Sequence, residues 1–159
     1  MTPVLHSLDV SESALLAHLT DGEGVAYATD AFSSIKGRFV EAQDFYLRAR
    51  NGDMVRIGTR WIDLPRGERV AALEVSSADL IDGMSSFEFA QAWIKTIRVV
   101  SAANWDDGAR IDAAIELTSH TNERFCFQIA DLHDQETAVL LLTESLQLNR
   151  DEVRDLVLQ

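Results

Sequence analysis

The chain has 159 residues, 47% of them hydrophobic and 25% charged, with a formal net charge of −12. That size and balance suit one globular domain, residues 1–159, and exclude a disordered tail. The single cysteine, Cys126, rules out an intrachain disulfide, and no apolar run approaches the ~20 residues of a membrane helix.

The charge is unevenly placed. Residues 36–69 hold eight basic and five acidic side chains, a net of +3, while the remainder holds 6 basic and 21 acidic ones, a net of −15. Such an acidic chain repels nucleic acid and anionic membranes and favours a basic partner. The opening MTPVLHSLDVSES lacks a basic region and a long apolar one, so no secretory signal is expected and a cytoplasmic location follows.

In chain order, SESALLAHL (11–19) predicts a short helix with Ser11 as its N-cap. TDGEG (20–24) stops it, with Gly22 and Gly24 as the residues suited to positive φ. VAYATDAF (25–32) and IKGRFVEA (35–42) read as strands, the second bent at Gly37.

The stretch around RARNGDMVRIGTR (48–60) alternates with period two on both sides of Asn51-Gly52, the pattern of a half-buried hairpin. A two-residue Asn-Gly turn would place Arg48 on the face of Val55 and so mix core with solvent. A three-residue loop, Arg50-Asn51-Gly52, instead sets Leu47 opposite Val55 and Phe45 opposite Ile57. It gives Gly52 the left-handed place of a G1 bulge. DLPRG (63–67) then turns into ERVAALEVS (68–76), and pairing 62 with 68 sets Arg56 opposite Glu74 and Ile57 opposite Leu73.

Ser85-Ser86-Phe87-Glu88 matches a capping box, and Phe87, Ala90, Ile94, Ile97 and Val100 form a helical stripe. A long helix over about 86–103 is therefore predicted. RIDAAIELT (110–118) and ERFCFQIAD (123–131) read as a second hairpin. Its Ile111, Ala113, Ile115, Leu117, Phe125, Phe127 and Ile129 face the core, and its Arg110, Asp112, Glu116, Arg124 and Gln128 face water. ETAVLLLTESL (136–146) and NRDEVRDLVL (149–158) close the chain as one or two helices.

These elements predict an α+β fold: an antiparallel meander of about six strands packed on the long central helix, with a short N-terminal helix and the C-terminal helices. The order helix, meander, helix, hairpin, helix, together with the acidic charge, is loosely similar to the acidic chaperones that serve bacterial type III secretion. That resemblance implies a bacterial, chaperone-like protein that clamps a partner protein and forms a homodimer.

The chemistry-bearing residues form no catalytic set. Ser33-Ser34, Ser76-Ser77 and Ser85-Ser86 sit at turns or caps, and no nucleophile elbow is present. Cys126 lies between Phe125 and Phe127 without an activating base. Asp131, His133 and Asp134 could join Asp106 and Asp107 around a metal, but ligands packed so locally rarely close a shell, so a solvated turn is expected. No cofactor is expected either. The leading expectation is a non-catalytic acidic protein-binding module. It would be an immunity or antitoxin-type inhibitor, or a chaperone-like protein, whose Asp106, Asp107, Asp112 and Glu116 meet a basic partner protein. The alternative is an enzyme or binding protein for an anionic small molecule, with a pocket near the hairpin at 45–62 lined by Tyr46, Arg48, Arg56, Arg60 and Trp61. Within that hairpin, Arg48 and Arg60 have no expected cross-strand acid.

Overall fold

A computed structural model describes residues 5–6, 8–28, 32–33, 39–63, 69–79, 83–88, 93–103, 110–129, 139–143 and 152–155. These residues form strands and one short helix. The elements run β1 (Leu5–His6), α1 (Val10–Ala17), β2 (Val25–Ala28), β3 (Phe32–Ser33), β4 (Phe39–Ala42), β5 (Phe45–Arg48), β6 (Met54–Asp63) and β7 (Arg69–Ala78). They continue as β8 (Ser85–Glu88), β9 (Ile94–Ala103), β10 (Arg110–Ser119), β11 (Arg124–Ile129), β12 (Leu140–Thr143) and β13 (Glu152–Asp155). One sheet has the order β7-β6-β5-β2-β8. The other has the order β13-β9-β10-β11-β12-β4-β3, with β1 added in parallel to β10.

The hairpin register follows from the alternation of its side chains. Phe45 pairs with Ile57 and Leu47 with Val55, as the three-residue loop requires. The amide of Ala49 donates to the carbonyl of Asp53 at 2.7 Å, and Gly52 takes φ +93. The next pairing keeps the expected faces but slides by two residues: Ile57 meets Val75, and Arg56 meets Ser76. A two-residue slide leaves the same side chains on the same face. Arg56 therefore still reaches Glu74, now diagonally, at 3.1 Å, and also binds Asp44 at 2.6 Å. The second hairpin pairs Ile115 with Phe127 and Leu117 with Phe125, again as its pattern requires.

The long helix over 86–103 does not exist. Ser85–Glu88 is strand β8 at the edge of the first sheet, and Ile94–Ala103 is strand β9 in the second. The apparent helical stripe has a local cause. Along β9 the pairs step from Thr96↔Thr118 to Ile94↔Ser119, so Lys95 is an extra residue, and on β10 Ala113 is another. Each β-bulge shifts the alternation by one residue. The Lys95 bulge brings Ile94 and Ile97 into the same core three residues apart, and Val100 is buried on the face opposite to Val99, so the three repeat at the spacing of a helix face. Within 94–100 the apolar residues are Ile94, Ile97, Val99 and Val100, all β-branched, which favours the strand.

The C-terminal helices are also overturned, because Leu140–Thr143 is strand β12 and Glu152–Asp155 is strand β13. A continuous apolar run such as Val139–Leu142 has no period to tell a buried strand from a helix. The α+β layout falls with these elements, and so does the shared layout with secretion chaperones. The N-terminal helix stands, but Asp9 caps it, not Ser11. The Asp9 side chain accepts from the Glu12 amide at 2.8 Å, and the Glu12 carboxylate accepts from the Asp9 amide at 3.2 Å.

The core lies between the two sheets. Phe45, Leu47, Val55, Ile57, Leu73 and Val75 from one sheet share a buried cluster with Ile97, Val99, Ile115, Leu117, Phe127 and Leu142 from the other. Phe45 and Phe127 meet edge to face, with ring centroids 5.2 Å apart. The reverse face of the larger sheet is not wet as its polar residues suggest: Asp112 is 1% exposed, Gln128 1% and Glu116 7%. Each is satisfied in place. Asp112 accepts from Ser101 Oγ at 2.6 Å and from the Leu8 amide at 2.8 Å, and Gln128 Nε2 donates to Thr143 Oγ1 at 2.6 Å.

Helix α1 packs on β7, the outermost strand of its sheet. Glu12, 6% exposed, accepts from the Val75 amide at 2.8 Å and from Arg60 Nη1 at 2.9 Å. Its carboxylate thus occupies an edge N–H that would otherwise lack a strand partner. Glu12→Ala is expected to lower stability by about 2–3 kcal/mol, because it leaves the buried Val75 amide without its acceptor and takes a carboxylate from Arg60. Glu12→Gln, which keeps an acceptor, should cost less. Urea unfolding of both variants checks the order. Phe127→Ala is expected to cost about 3–5 kcal/mol by opening a cavity between the sheets. A double-mutant cycle with Phe45→Ala should return a coupling of about 0.5–1.5 kcal/mol for the ring contact.

Candidate functional site

Antiparallel pairing brings several turns to one end of the sandwich. These are the α1–β2 turn, the β5–β6 turn, the lead into β9 and the β10–β11 turn. Backbone hydrogen bonds join the α1–β2 turn, the lead into β9 and the β10–β11 turn. The Asp21 amide donates to the Ile94 carbonyl at 2.8 Å, the Ile94 amide returns one to Gly22 at 3.1 Å, and the His120 amide donates to the Trp93 carbonyl at 2.9 Å.

Asp21 is the hub of this end. It takes the left-handed φ of +62, which an aspartate tolerates better than most residues. The sequence reading placed that conformation at Gly22 and Gly24. Gly22 is needed instead for close approach, since a Cβ there would lie 2.8 Å from the carbonyl oxygens of Arg48 and Leu19. The Asp21 carboxylate faces His120 Nε2 at 3.0 Å and Arg50 at 3.7 Å.

Beside this hub is a cleft of about 390 Å³, lined by Asp21 and Glu23 from the first turn, Arg48, Arg50 and Gly52 from the second, and Trp93. Trp93 is 56% exposed and, with Val10, is one of two exposed large hydrophobic side chains among the described residues. Arg48 and Glu23 make no ion pair among the described residues.

Of the hairpin residues singled out from the sequence, the cleft takes only Arg48. Tyr46 is buried on the sheet. Arg56 is held by Asp44 and Glu74. Burial works against its charge, but the two carboxylates outweigh that and keep its pKa above the ordinary value. Gly58 makes room for it, because a Cβ there would meet the Arg56 guanidinium at 2.5 Å. Arg60, expected to lack an acid, binds the buried Glu12 at 2.9 Å. Trp61 packs against the core under Arg69, whose guanidinium lies 4.9 Å from the ring centroid.

The acidic set is not brought together either. Asp112 and Glu116 are buried and offer no carboxylate surface, and Asp106 and Asp107 lie outside the described residues. Asp131, His133 and Asp134 also lie outside them, and among the described residues no group of three or more His, Cys, Asp or Glu could hold a metal. Cys126 is buried and outside any disulfide, with Sγ 3.9 Å from Glu116 Oε2. Among the described residues, no helix is long and apolar enough to cross a membrane.

The residues missed from the sequence are Asp21, Glu23, Trp93 and His120. Trp93 falls within the stretch 86–103 that the sequence predicts as a helix and that is not one. The available signal for Asp21 and Glu23 was TDGEG itself, two acids set in a glycine turn, while His120 carried none. The chain matches no protein-family model, no curated protein and no solved structure.

Gly22→Ala is expected to push the α1–β2 turn away from β5 and to lower stability by about 1–3 kcal/mol. Thermal and urea unfolding measure the loss. Gly52→Ala, where a Cβ meets nothing within 4 Å, should show only the backbone penalty of its positive φ.

Proposed function

We propose that this protein binds a small molecule bearing a carboxylate or similar anionic group in the cleft between the α1–β2 and β5–β6 turns. The observation that carries the reading is Arg48, a guanidinium without an ion pair among the described residues, lining the same cleft as the exposed indole of Trp93. An arginine presents a planar fork of donors that matches a carboxylate in two-point fashion. An indole offers a flat apolar wall for the body of a ligand. The cleft volume, about 390 Å³, falls in the range of small-molecule sites. Arg56 and Arg60 support the same reading by contrast, since both already hold carboxylates.

A second reading keeps a basic protein partner, as for an inhibitor of the immunity or antitoxin type. It draws support from the net charge of −12, which speeds encounter with a basic surface. Its contact would have to use acids other than Asp112 and Glu116. A reducing, cytoplasmic setting suits the buried Cys126, the one cysteine of the sequence, under either reading.

Titration calorimetry with 3-phenylpropanoate tests the cleft. Arg48→Gln is expected to weaken binding by about 10- to 100-fold, the size of a charged hydrogen bond. Unchanged affinity in that variant would remove Arg48, and with it the reading. Capture of a basic protein from native lysate, lost in high salt and unaffected by Arg48→Gln, would favour the second reading.

A further inference from the structure

Resting on that assignment of the cleft, we infer that its ligand is a zwitterion of the α-amino-acid type with an apolar or aromatic side chain. Arg48 is one half of the argument and Glu23 is the other. Strand β2 pairs with β5 through Ala26↔Leu47 and Tyr27↔Tyr46. Glu23 lies two residues before β2 and next to Gly22, where a Cβ would sit 2.8 Å from the Arg48 carbonyl oxygen, and Glu23 and Arg48 line the same cleft. Even so, Glu23 and Arg48 form no ion pair with each other or with any described residue.

Asp21 and Arg50, the other charges of the cleft, face each other, and His120 adds a second partner for Asp21. The cleft therefore presents one unengaged cation and one unengaged carboxylate beside an exposed indole. A simple anion at Arg48 meets Glu23 as a like charge, inside a protein whose net charge is −12. A simple cation at Glu23 meets Arg48 in the same way. A zwitterion satisfies both groups. Its carboxylate accepts from the Arg48 guanidinium, its ammonium donates to Glu23, and its side chain lies against Trp93. Carrying no net charge, it is also indifferent to the long-range field of the acidic chain.

The test is calorimetric titration of the full chain with three compounds of one shape: L-phenylalanine, 3-phenylpropanoate and 2-phenylethylamine. L-Phenylalanine is expected to bind at least tenfold more tightly than either singly charged analogue. Glu23→Gln should erase its advantage over 3-phenylpropanoate without weakening 3-phenylpropanoate itself, and Arg48→Gln should weaken both. Far-UV circular dichroism of each variant matching that of the parent confirms that the change is local. If 3-phenylpropanoate binds as tightly as L-phenylalanine and depends on Arg48, the zwitterion is overturned while the carboxylate site stands. If 2-phenylethylamine equals L-phenylalanine, the zwitterion is overturned and Arg48 has no role. If none of the three binds, both the zwitterion and the site are overturned.

Discussion

The contact of two sheets across one apolar layer is the constraint on which the rest depends. Phe45 and Phe127 sit within that layer, and the strands that carry them must keep their apolar side chains inward. Period-two alternation makes this demanding, because a slip of one residue would turn a whole row outward. The β6–β7 register shows how the constraint works. It differs by two residues from the pairing that best matched charge with charge, yet the faces are unchanged. Burial of Ile57 and Val75 decides the face, and the Arg56–Glu74 pair adapts along the diagonal.

Polar groups then close what the apolar layer leaves open. A sheet edge exposes amides that need partners. Glu12 supplies one for Val75 and binds Arg60 at the same time, so α1 is tied to the edge by a carboxylate and not by apolar contact alone. Asp112 plays a related part where β1 leaves its parallel pairing with β10, accepting from the Leu8 amide. Both carboxylates are buried, and both are matched by donors at hydrogen-bond distance, the condition under which a buried charge is tolerated. Many of the acids that make the chain look like a charged surface are thus partly architectural.

The same geometry produces the cleft. With the sheets face to face, the turns at one end come close enough for Asp21, Gly22, Trp93, Ile94 and His120 to exchange hydrogen bonds. The turns brace one another, and residues far apart in the chain come to face one opening. Charge density along the sequence pointed to the hairpin at 45–62. Two of its arginines are consumed in holding the sheet, and the two at the cleft, Arg48 and Arg50, find company from 21–23 and 93.

Several features were legible in the residues alone. Both hairpins, the G1-bulge turn at Gly52 and the short N-terminal helix follow from alternation, glycine placement and capping chemistry, all of which act over a few residues. The helix at 86–103 was misread because the Lys95 bulge sets Ile94 and Ile97 three residues apart and because β9 is buried on both faces, and both follow from partner strands. The run at 139–142 was misread because a strand buried in a sheet has no polar face to reveal its period. Which acids are surface and which are internal, and which arginines are free, also lay beyond the sequence. An ion pair such as Arg60–Glu12 joins residues 48 positions apart. The sequence by itself determined which side chains of each hairpin face inward. Only the tertiary structure decided what they face, because that depends on strands brought together by packing and not by chain order.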